Sequence, residues 1–112
     1  MEDIKTLKCE VCKVGAPLIS DEKITEFLQM IPQWQITEED GIKKLIRKFT
    51  FKDFRETLAF INKVGNIAEE NGHHPQILAG YNHVTLWWWT HKIKGLHLND
   101  FIMAAKTDSL MN

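Results

Sequence analysis

Cysteine is nearly missing from this chain. Cys9 and Cys12 are its only two, too few for a disulfide-stapled secreted domain and unnecessary in 112 residues, which suffice to bury a core. An excess of charge is missing too. Fourteen Lys and Arg stand against fifteen Asp and Glu, a formal charge of -1, so no global basic field draws in nucleic acid. There is no long apolar run. The longest stretch without Asp, Glu, Lys or Arg, from Asn71 to His91, holds Gly72, His73, His74, Pro75, Gln76 and Asn82, and burying these in lipid would be costly, so no membrane span is expected. The opening Met1-Glu2-Asp3-Ile4-Lys5 lacks the basic start and apolar centre of a signal peptide. A cytoplasmic location is therefore expected. No repeat and no Ser/Gly/Pro-rich linker divides the chain. What remains, 44% hydrophobic and 26% charged residues, is the balance of a folded globular domain and excludes wholesale disorder. One domain is expected over residues 20–112, after an irregular segment at 1–19.

Periodicity orders the elements. Ser20 is an N-cap without a capping-box partner, opening a short helix with Ile24, Phe27, Leu28 and Ile31 on one face that Pro32 closes. Trp34 to Thr37 alternates weakly, Gly41 supplies a turn, and Ile42 to Phe51 reads as a strand with Leu45, Phe49 and Phe51 on one side. From Phe54 a helical stripe of Phe54, Leu58, Ile61, Val64, Gly65 and Ala68 is expected to face the core, with Asp53 near its start and Gly72 as its C-terminal cap. A second hairpin is expected, Ile77 to Tyr81 pairing with Val84 to Lys92 across Asn82-His83. It sorts Val84, Leu86 and Trp88 to one face and Thr85, Trp87, Trp89 and His91 to the other. A last helix starts near Leu98 with Phe101, Ile102 and Ala105 inward. The order α-β-β-α-β-β-α predicts an α+β domain, a four-stranded antiparallel sheet with helices packed on one face.

All five histidines fall between His73 and His97. Imidazole both gives and takes a proton near neutral pH. His83 in a turn and His97 at a helix entry read as structural. His73 and His74 sit at a helix exit, where Pro75 forces His74 into extended backbone and aims the two rings in different directions. Glu69 stands in the last turn of that helix, where a carboxylate opposes the dipole. Its bland alternative, shared with Glu70, is a solvated surface acid.

The spacing Glu69-x3-His73-His74-Pro75-x5-Tyr81-x9-His91-x8-Asp100 is similar to the signature of the pterin-4a-carbinolamine dehydratase family. Trp34 and Phe51-Lys52-Asp53-Phe54 also resemble it. Trp87-Trp88-Trp89-Thr90-His91, Gly95-Leu96-His97-Leu98-Asn99-Asp100-Phe101 and the Cys9-x-x-Cys12 start resemble its bacterial branch. The resemblance spans about Ser20 to Asp108. It departs from the animal members at Gly72, where those have an aspartate, and at Ile77-Leu78, which replace an aromatic pair.

The resemblance implies the same α+β fold and a hydro-lyase that removes water from 4a-hydroxytetrahydropterin, giving quinonoid dihydropterin and supporting pterin recycling for an aromatic amino-acid hydroxylase. Catalysis would rest on His73, His74 and His91 with Glu69 nearby, without metal or cofactor, the pterin being the substrate. Chemistry suits this: the departing hydroxyl needs a proton and the N5 proton needs a base, and two imidazoles can supply both. His73 and His91 are expected to exchange protons, His74 and Glu69 to hold and polarise the pterin, and Thr85, Trp87 and Trp89 to floor the flat heterocycle. The tryptophans have a competing reading as packing, within the subunit or against another one. Trp88 is expected in the core, and Asp100 is assigned a structural role at its helix start.

Family members form dimers and tetramers, so a homodimer or homotetramer is expected. A non-catalytic interaction module is the alternative, since animal relatives act as dimerisation cofactors of a homeodomain transcription factor. A third reading joins Cys9, Cys12, His73 and His74 in a zinc centre.

Overall fold

The computed structural model describes residues 19–111. Cys9 and Cys12 therefore lie outside the described residues, and with them the zinc reading. The chain forms α1 (Asp21–Leu28), β1 (Gln35–Glu39), β2 (Ile42–Thr50), α2 (Phe54–Asn71), β3 (Gln76–Ala79), β4 (His83–Trp88), a single 3-10 turn (His91–Ile93) and α3 (Leu98–Ser109). This is the expected order. The four strands make one antiparallel sheet in the spatial order β1-β2-β4-β3. No helix among the described residues is long and apolar enough to cross a membrane.

Local chemistry sets the boundaries. The Ser20 side chain accepts from the Lys23 amide and starts α1. Asp40 and Gly41 both take positive φ, 53° and 78°, which lets a two-residue loop join Glu39 to Ile42 with the twist the strands require. Asp53 caps α2 by accepting from the Glu56 amide, and Gly72, at φ 61°, ends it in the left-handed conformation.

Two expectations are corrected. The stripe of α2 that enters the core is Thr57, Phe60, Val64 and Ala68, whereas Phe54 and Leu58 are 47% and 45% exposed. The helix carries two apolar stripes roughly a quarter-turn apart. Thr57 decides between them, because its buried hydroxyl is shared between the carbonyls of Asp53 and Tyr81 and so ties that side to the β3–β4 loop. The second correction concerns β4, which stops at Trp88 and does not continue to Lys92. Beyond it an isolated bridge joins Thr90 to Gly95, and His91 opens the 3-10 turn.

The core lies between the sheet and α2 and α3. Leu45, Phe49, Val84, Leu86 and Trp88 meet Phe60, Val64, Phe101, Ile102 and Met103, all buried. Helix α3 is buried on nearly every side, as its Phe-Ile-Met-Ala-Ala run requires. Asp108 near its end accepts from the Trp34 indole at 2.8 Å and pairs with Arg47, joining α3 to the chain ahead of β1 and to β2.

Candidate active site

Three termini meet at one end of the sheet: the exit of α2, the end of β4 and the start of α3. The left-handed Gly72 turns the chain so that the His73 amide reaches back to the Ala68 carbonyl. The His73 ring then lies nearly parallel to the Trp88 indole, 7° between planes with centroids 5.7 Å apart. Trp88 is on the core side of β4, so His73 is buried there, at 9% exposure.

Asp100 fixes that ring. It is fully buried and accepts from three donors. Its Oδ1 is 2.6 Å from His73 Nε2, while Oδ2 takes the Thr90 hydroxyl at 2.9 Å and the His97 amide at 2.9 Å. The last of these is half of a capping box, whose other half is the His97 side chain accepting from the first turn of α3. A carboxylate can only accept, so His73 must present Nε2–H to it, which leaves Nδ1 as the nitrogen free for chemistry. The sequence reading of Asp100 as structural covers its cap; its grip on His73 was missed. The signal was present, since Asp100 closes the same spaced pattern as the histidines.

His91 approaches from the other side of the strand end. Its ring stacks on Trp89 with centroids 4.3 Å apart, and the Lys44 ammonium sits 4.1 Å from the centre of that indole. The His91 pKa is lowered from 6.5: partial withdrawal from water is the largest cause, then the charge of His73, with smaller contributions from Lys44 and His74, while Asp100 pulls it upward. His73 and Asp100, which are in contact with each other, are thus among the groups whose charges bear on His91.

His74 lies at the open side, its Nε2 3.1 Å from Glu69 Oε1, both side chains largely exposed. The pair is screened by solvent and adds little stability. Thr85 and Trp87 stand opposite Lys48 and Ile46 of β2, on the face of the sheet turned away from Trp88 and His73. Trp87 Nε1 is buried without a partner among the described residues. Trp89 does meet His91. His83 rests over Gly80, and His97 caps α3, as their positions suggested. A cavity of about 180 Å³ between Ile19, Ile24, Gly41 and Leu96 contains none of the histidines.

A family model described as pterin 4 alpha carbinolamine dehydratase matches residues 17–110. A protein of Nitrosococcus oceani, provisionally named pterin-4-alpha-carbinolamine dehydratase, is 55% identical over 111 residues, 99% of this chain and 98% of its own length. One of the same provisional name from Syntrophotalea carbinolica is 53% identical, covering 99% of each chain. Among solved structures, a transcriptional coactivator/pterin dehydratase from Brucella melitensis superposes with a TM-score of 0.78 at 29% identity, over 86% of this chain and 100% of that one. A pterin dehydratase-like protein identified as a RuBisCO assembly factor in the alpha-carboxysome gives 0.60 at 26% identity, over 70% and 88%.

Proposed function

The chain belongs to the pterin 4 alpha carbinolamine dehydratase family, and from that premise we propose that it dehydrates a 4a-hydroxytetrahydropterin to the quinonoid dihydropterin, with histidines as acid and base. The observation that carries this is the buried His73 held by Asp100 at 2.6 Å beside the end of β4, after which His91 follows. In the reaction the C4a–O bond breaks, the oxygen takes a proton and leaves as water, and N5 gives up its proton as the N5–C4a double bond forms. His91, whose lowered pKa keeps it neutral at neutral pH, accepts the N5 proton. His73 delivers the other from Nδ1, and Asp100, accepting at Nε2, steadies the imidazolium form and the tautomer that remains, as the carboxylate of a catalytic triad does. His74 and Glu69 hold the exposed edge of the pterin, and Trp89 supports it beside His91. Thr85 and Trp87 are left to packing or to a neighbouring subunit. The pterin is substrate, with no other cofactor, and the enzyme works as a homodimer or homotetramer that recycles pterin for an aromatic amino-acid hydroxylase.

The test is a stopped assay on enzymatically generated 4a-hydroxytetrahydropterin with the wild type, His73→Ala and His91→Ala. Each variant should lose roughly 10²-fold or more in kcat. Equal rates in all three would remove the assignment.

A second reading has one observation in its favour. Phe54 and Leu58 leave an apolar stripe of α2 exposed, and the two structural relatives are titled a coactivator and an assembly factor. A binding role on that helix could coexist with catalysis at the other end of it.

A further inference from the structure

Lys44 is a lysine in an expensive place. It is 8% exposed, and a buried ammonium persists only with partners. Leu45 and Phe49 of β2 face the core, so Lys44 lies on the outer face of the sheet. The β2–β4 ladder ends with Leu45 opposite Trp88, and one further step of that register sets Lys44 across from Trp89. There its Nζ meets the indole at 4.1 Å and Glu39 Oε2 at 3.2 Å. The same indole carries the His91 ring.

We propose that Lys44 is a positioning residue of the dehydration: anchored by Glu39, it fixes the Trp89 indole against which His91 stacks, and it sets a positive charge beside His91 so that this ring serves as proton acceptor. The proposal rests on the reading of His91 as the base. The charged groups that bear on His91 are His73 and His74 from the exit of α2, Asp100 from α3 and Lys44 from β2. Lys44 alone among them lies outside the spaced signature. It is also the one basic group among them that is not an imidazole.

The experiment compares full-length wild type, Lys44→Met, Lys44→Arg and His91→Ala by two readouts: the pH dependence of kcat/KM with 4a-hydroxytetrahydropterin, and the His91 titration followed by NMR of ring-labelled protein. Lys44→Met keeps the stem and removes the charge. It should raise the His91 pKa, move the acid limb of the profile to higher pH, and lower kcat/KM roughly 10-fold at neutral pH, a fraction of what a whole acid–base group supplies. Lys44→Arg should restore both readouts, since guanidinium keeps the charge and the contact with the ring. Should Lys44→Met fold poorly, Glu39→Gln, at a half-exposed site, releases the anchor and should shift both readouts in the same direction by less. Unchanged titration and profile in Lys44→Met, with His91→Ala inactive, overturn the proposal alone. Full activity in His91→Ala overturns instead the reading on which it rests.

Discussion

At the scale of single residues, Asp100 carries two duties with one side chain, capping α3 and orienting His73. Asp100→Asn keeps the shape but turns one acceptor into a donor facing donors. The expected result is a loss of about 2–3 kcal/mol in stability, from buried groups left unpaired, and a fall of roughly 10²-fold in kcat because the His73 tautomer is no longer fixed. Denaturant titration and single-turnover kinetics separate the two effects. His91 makes a prediction about pH. Its pKa is lower folded than unfolded, so between those two values the unfolded chain binds more protons, and stability rises with pH. Above 6.5 this group contributes no pH dependence; as pH falls below 6.5 it destabilises the fold, levelling off beneath the folded value. His91→Gln should flatten that portion of a stability–pH curve measured by urea unfolding.

At the scale of elements, the α2 exit depends on one glycine. A Cβ at Gly72 would meet nothing within 4 Å, so the cost of Gly72→Ala is purely the left-handed backbone, about 1 kcal/mol, and Gly72→Asn should cost less. Calorimetry would show the pair, with the alanine variant also losing activity as the His73–Asp100 contact loosens. Gly72, Ser20, Asp53 and Gly41 were legible in the sequence because caps and tight turns are local chemistry, and the order of elements followed from them. The face of α2 was legible at Val64 and Ala68, which are buried as expected, and not at Phe54 and Leu58. Phe54, Leu58 and Ile61 match a helical stripe as well as Thr57, Phe60 and Val64 do, and the choice is made by a Thr57 hydroxyl bond to the distant Tyr81 carbonyl. The end of β4 was hidden for the same reason: alternation runs on through Trp89 to His91, and only the bridge of Thr90 to Gly95 and the bond of Thr90 to Asp100 draw the chain out of the ladder. The three histidines were found through the spacing of the resemblance, whereas the contact of His73 with Asp100 is tertiary.

At the scale of the whole molecule, the two ends of α2 present different chemistry. The exit holds His73 and His74, while the entry leaves Phe54 and Leu58 in solvent. Exposed aromatic and aliphatic side chains of this size on one stripe suit a protein partner, and a second copy of the chain is the one tested first. Phe54→Ser with Leu58→Ser should leave the fold of the isolated subunit within about 0.5 kcal/mol but shift its sedimentation toward smaller species. An unchanged mass would direct the assembly to another surface. The stacking of His91 on Trp89 also gives the molecule an optical reporter of its own chemistry. A protonated imidazole quenches indole emission and a neutral one does so weakly, so tryptophan fluorescence should dim on acidification with a midpoint below 6.5, the direction in which the His91 pKa lies, and a proton taken up by His91 under the proposed mechanism would become visible without any label.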